Sequence, residues 1–108
     1  MKLQDLIAEI EPEFRNDAVE LMKTDDFYSL KQFDDGNGYE AFILSGGKFI
    51  LTNVELDKKQ NVLEYECQCA DSKYNTCVHL AATLIGIEIM LKAKHFDYHE
   101  ALQKLASQ

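Results

Sequence analysis

The sequence predicts an α+β fold: a small antiparallel β-meander of three or four strands, with helices before it and after it. Three observations predict this. The apolar period is helical at both ends of the chain and close to two between residues 27 and 67. The breaks between the strand-like runs are only a few residues long, which imposes antiparallel hairpins. All three cysteines fall, with one histidine, inside the thirteen positions from Cys67 to His79, between the last strand and the first C-terminal helix.

The elements follow in order. Leu3, Leu6, Ile7 and Ile10 recur at helical spacing and predict a short amphipathic helix over about 2–10. Pro12 suits the first turn of a second helix, marked by Phe14, Ala18, Leu21 and Met22 and reaching about Lys23. Glu11 and Glu13 beside its start favour the helix dipole. Residues 1–24 thus read as an N-terminal helical segment. Phe27–Phe33, Tyr39–Leu44, Lys48–Leu56 and Val62–Cys67 then read as strands rich in aromatic and branched side chains. Turn-forming runs separate them: Asp34 to Gly38, Ser45-Gly46-Gly47 and Asp57 to Asn61. Leu80, Leu84, Ile87 and Leu91 predict a helix from about Cys77 to about Ala93, and Tyr98, Ala101, Leu102 and Leu105 one near Tyr98–Ala106. The expected order is ααββββαα.

At 108 residues and 12.4 kDa the chain is one domain's worth, 1–108, able to bury about two-thirds of the surface it exposes when unfolded. Hydrophobic content of 46% excludes a disordered chain. The most apolar run, Val78–Leu91, contains Thr83 and Glu88 and is too short to cross a bilayer, so no membrane partner is expected. Met1 to Asp5 lack the apolar stretch of a secretory signal, and a cytoplasmic location is expected. Neither GxGxxG nor GxxxxGK[ST] occurs, which with the size excludes a kinase, a Rossmann enzyme or a motor ATPase within these residues. The net charge is −8, and residues 1–40 hold 4 basic against 11 acidic side chains. Such a field repels phosphate backbones, which disfavours nucleic acid and favours a protein partner.

The chemistry lies in Cys67-Gln68-Cys69, a seven-residue spacer, and Cys77-Val78-His79. In extended backbone Cys67 and Cys69 point to one side. Cys77 and His79 would diverge inside a helix but converge at its beginning, with Asn75 or Thr76 as cap. The positive helix end there favours a thiolate at Cys77. Three sulfurs and one imidazole nitrogen complete a tetrahedral, structural Zn²⁺ site with no open position for a reacting water. A Cys67–Cys69 disulfide would close a strained ring in a reducing compartment. A catalytic Cys77–His79 pair lacks a third group or an oxyanion motif. His95 and His99 stand at i, i+4 with no further ligand and read as surface histidines.

This motif, preceded by a β-hairpin and followed by an apolar helix, resembles the SWIM zinc finger found in bacterial Swi/Snf-type ATPases, mutator-class transposases and certain kinases and recombination factors. The resemblance covers about residues 39–91. It implies a ββα unit, the zinc ligands Cys67, Cys69, Cys77 and His79, and a role in binding DNA or protein rather than catalysis. Where the family often carries a basic residue between the last Cys and His, this chain has Val78. The expected function is therefore a non-enzymatic interaction module, with the N-terminal part of a Swi/Snf-type helicase-like ATPase, or an accessory to one, as a natural setting. The alternative is direct nucleic-acid binding through Lys58, Lys59, Lys73 and Tyr74. Loss of the metal is expected to melt the Cys67–Leu91 region first, opening Ala70–Thr76 to proteolysis while the N-terminal helices persist.

Overall fold

A computed structural model describes residues 1–33, 37–68, 77–95 and 97–106 of the chain. Its elements are α1 (Leu3–Glu9), α2 (Pro12–Met22), β1 (Phe27–Gln32), β2 (Gly38–Ser45), β3 (Lys48–Leu56), β4 (Val62–Cys67), α3 (Val78–Ala93) and α4 (Tyr98–Ala106). The strands form one antiparallel sheet in the order β1-β2-β3-β4, the meander expected from the short breaks. Gly46 and Gly47 close the β2–β3 hairpin with φ of 59° and 81°, which a two-residue turn of this hand requires.

Strand alternation divides the sheet into two faces. Leu30, Ala41, Ile43, Thr52, Val54 and Cys67 are buried on one face, and that face meets the helices. α3 lies across it and touches every strand as well as α1, α2 and α4. Its Leu80, Leu84, Ile87 and Met90 are almost fully buried, and so are Ala81, Ala82 and Ala93 on its other sides. A helix apolar all round is a helix enclosed by the fold. Leu91, expected on the same face as Leu84 and Ile87, is half-buried at its margin. α4 packs along β1, with the Phe27 and Tyr98 rings edge to face at 5.0 Å.

Gly86 of α3 faces β1 and α4. A Cβ there would lie 2.5 Å from Leu30 Cδ2 and 3.5 Å from both Phe27 and Tyr98, so the missing side chain is what lets the backbone come this near. Leu30 is fully buried and has no room to retreat. Gly86→Val is expected to cost about 2–3 kcal/mol through overpacking, read as a lowered denaturation midpoint. A midpoint equal to wild type would mean that the contact yields.

Two connections join parts of the chain that are not neighbours in sequence. Just where α1 begins, close to the expected start at residue 2, the chain straps the β3–β4 turn: Leu3 N–H donates to Gln60 O at 2.8 Å, and Val62 N–H to Met1 O at 2.8 Å. Arg15 on α2 donates through Nη2 to the carbonyls of Ile7, Ala8 and Ile10 at 3.1–3.2 Å, satisfying the C-terminal end of α1. Ile7 O also accepts from Ile10 N–H at 3.1 Å, and the guanidinium adds a donor to this carbonyl end, where no glycine cap follows.

Candidate metal centre

Cys67 ends β4, and its register partner on β3 is Thr52, so its side chain points to the helix-bearing face. Cys77 precedes α3 in extended backbone, φ −132° and ψ 171°, and is its N-cap. Asn75 and Thr76, expected to cap the helix, lie outside the described residues. The cap is the thiol itself, whose Sγ accepts from Leu80 N–H at 3.4 Å. This answers the difficulty of a Cys-x-His pair on a helix. Cys77 is not yet helical, and its side chain folds back over the first turn, where His79 sits.

Cys77 Sγ and His79 Nδ1 are 4.0 Å apart, and one ligand atom from each of Cys67, Cys77 and His79 lies within 4.8 Å of the others. Both cysteines are buried, at 6% and 5% exposure, His79 is half-buried, and no disulfide joins Cys67 to Cys77. Around a tetrahedral zinc with bonds of about 2.3 Å to sulfur and 2.0–2.1 Å to nitrogen, ligand atoms lie roughly 3.5–3.8 Å apart. The three donors are within a few tenths of an ångström to one ångström of that spacing. A donor set of two sulfurs and an imidazole nitrogen is one that zinc takes and that magnesium or calcium does not. The residues therefore fit a metal ion. The fourth expected ligand, Cys69, lies outside the described residues, as do Lys73 and Tyr74.

Behind the donors runs a buried hydroxyl chain that the motif does not announce. Thr83 Oγ1 donates to His79 O at 2.9 Å, one turn back along α3, and lies 2.6 Å from Thr52 Oγ1. Each hydroxyl has one proton. With that of Thr83 directed to His79 O, Thr52 is the donor of the second bond. Both threonines are fully buried. The chain Thr52 → Thr83 → His79 O thus ties the strand beside Cys67 to the turn that carries the imidazole. Its signal in the sequence is faint: two threonines at positions whose neighbours i±2 on the strand and i±4 on the helix are otherwise apolar or metal-binding.

The other expected site residues are placed elsewhere. Lys58 and Lys59 are exposed in the β3–β4 turn, at the opposite end of β4 from Cys67. Six strand residues separate the two ends, roughly 17 Å. Asp57 organises that turn: Oδ1 accepts from Lys59 N–H at 2.8 Å and Asn61 N–H at 2.9 Å, and Oδ2 from Asn61 Nδ2 at 3.0 Å. The Asn61 side-chain bond, then the backbone bonds, hold its carboxyl below the usual range. His95 and His99 have partners of their own, Glu100 Oε2 at 3.7 Å and Tyr28 O at 3.0 Å.

The chain matches no family model, and neither the curated proteins nor the solved structures compared with it gave a significant match.

Proposed function

We propose that this chain is a zinc-binding interaction module of the SWIM type, acting through a protein partner and not as an enzyme. Cys67, Cys77 and His79 would hold the ion with Cys69 as the fourth ligand. Four protein ligands leave no position for a reacting water, so the zinc would tie the end of β4 to the beginning of α3 and do no chemistry of its own. The observation that carries the reading is the meeting of donors from two elements eleven residues apart in sequence, at a spacing suited to one ion.

The family setting extends the proposal: the module would serve as the N-terminal part of, or an accessory to, a Swi/Snf-type ATPase in the cytoplasm. No helix among the described residues is long and apolar enough to cross a membrane. A protein partner is favoured over nucleic acid by the charge of −8 and by the distance of Lys58 and Lys59 from the donors.

X-ray absorption of the zinc-loaded protein tests the site. One zinc per chain is expected, with three sulfurs near 2.3 Å and one nitrogen near 2.0–2.1 Å. Oxygen ligands, or fewer than three sulfurs, would overturn the closed structural site.

A further inference from the structure

The face of the sheet turned away from α3 is divided in two along the strands. At the end near the β2–β3 hairpin it is aromatic. Tyr28 (62% exposed), Phe49 (54%) and Phe42 (38%) form a chain of edge-to-face rings at 5.3 and 6.4 Å, with the half-buried Leu44 and Leu51 beside them. Tyr28, next to the buried Phe27 and at a register irregularity between Phe27 and Ser29, is exposed and joins this cluster. At the other end the same face is acidic. Glu55 lies directly opposite Glu64, and Asn53 is flanked by Glu40 and Glu66. Together with Phe33 several of these line a concavity of about 570 Å³.

Among the described strand residues, the acidic half has a single cation beside it, set against four carboxylates. Like charges directly opposite across strands destabilise a sheet, and Glu55 and Glu64 are such a pair. The cation that alternation puts on this face, Lys31, lies opposite Glu40 and 4.0 Å from Asp97. Exposed aromatics in one cluster mark contact surfaces when they are rimmed by polar groups. Here the rim is predominantly acidic. A second copy of this chain would bring four more carboxylates to it, and a nucleic acid would bring phosphates; neither complements it.

We infer that this face docks a basic, apolar segment of a partner protein, with its apolar side chains on Tyr28, Phe42 and Phe49 and its Lys or Arg side chains among Glu40, Glu55, Glu64 and Glu66. The two clusters are centred about four strand residues apart, roughly 13 Å. In an extended segment the cations therefore stand about four residues from the apolar anchors, in either chain direction. Arginine suits the site best, since its guanidinium takes carboxylates in pairs and stacks on aromatic rings. The inference rests on the reading of the chain as an interaction module but does not depend on the metal.

The test is titration of the full chain with a fluorescein-labelled peptide, Leu-Thr-Leu-Thr-Arg-Thr-Arg-Thr, followed by anisotropy at low salt. Saturable binding is expected. It should weaken at least tenfold in Phe49→Ser, and at least tenfold in Glu55→Gln/Glu64→Gln, whose melting temperature stays at or above wild type because the repulsion is gone. A peptide with Glu in place of Arg should not bind. Cys77→Ser, measured at a temperature where circular dichroism shows it folded and with its zinc content determined separately, should bind the peptide less than tenfold more weakly than wild type, since of the face residues only Glu66 adjoins the loosened end of β4. Binding that survives both face variants, or that is lost in Cys77→Ser and kept in Phe49→Ser, would overturn the inference. So would duplex DNA binding that the face variants leave intact, or a dimer in sedimentation that Phe49→Ser dissociates.

Discussion

Cys77→Ser is expected to lose zinc while keeping the first turn of α3 capped. Serine is a good N-cap, so its hydroxyl takes over the bond from Leu80 N–H that the thiol accepts at 3.4 Å. The substitution therefore separates the metal from the cap. At zinc concentrations a thousandfold above the dissociation constant the wild type gains about 4 kcal/mol from the ion, and the variant should forfeit it. Cys77→Ala loses the cap as well and should fall about 1 kcal/mol further.

Packing decides where the damage appears. The Cys67–Leu91 region, read from the chain alone as the part that melts first, contains α3, and α3 touches all four strands and all three other helices. Leu84, Ile87 and Met90 cannot leave the core without unfolding the rest. Loss of the metal should therefore loosen the end of β4 and the first turn of α3, up to about Ala82, and lower global stability. It should not release a free-standing region. Hydrogen exchange of the zinc-loaded, chelated and Cys77→Ser proteins measures this. Equal protection of Val78–Ala82 in all three would show that no metal is held there.

The second large effect is expected at the hydroxyl chain, and its sign pattern is distinctive. Thr83→Val removes the group that accepts from Thr52 and donates to His79 O, leaving the Thr52 hydroxyl buried without a partner at a cost of about 1–3 kcal/mol. Thr52→Val removes only a donor. The Thr83 hydroxyl still reaches His79 O, and the loss should be about 1 kcal/mol. Thr52→Val/Thr83→Val replaces both groups with apolar ones of the same shape and should be more stable than Thr83→Val alone. Metal affinity should follow a different order, because no double variant restores the tie between the Cys67 strand and the His79 turn. Tenfold or greater weakening of zinc in both Thr83→Val and the double variant, set beside their diverging melting temperatures, separates positioning from simple stability. Affinities that track the melting temperatures would make the chain a stabilising contact only.

The order ααββββαα and most element ends are legible in the residues because each rests on local physics. Leu3 to Ile10 repeat with a helical period, Pro12 is tolerated in a helix only in its first turn, and Gly46-Gly47 sits where a tight hairpin needs positive φ. The cysteines and His79 were legible for a similar reason: a metal needs several donors, and here they crowd one short stretch of chain. The spacing also placed the convergence of Cys77 and His79 at the start of the helix, but with Asn75 or Thr76 as the cap. The cap is the Cys77 thiol, which depends on where Leu80 N–H points.

The elements, and the candidate donors Cys67, Cys77 and His79, are thus legible because each depends on neighbours in the chain. Which atoms from distant positions meet depends on packing. Arg15 caps a helix it does not belong to, and Gly86 makes room for Leu30. Thr52 donates a hydrogen bond to Thr83 across thirty-one residues, and Phe42, Phe49 and Tyr28 gather on the sheet face turned away from α3. Period and propensity carry no information about such pairs, because their energies arise only when burial has already brought the partners together.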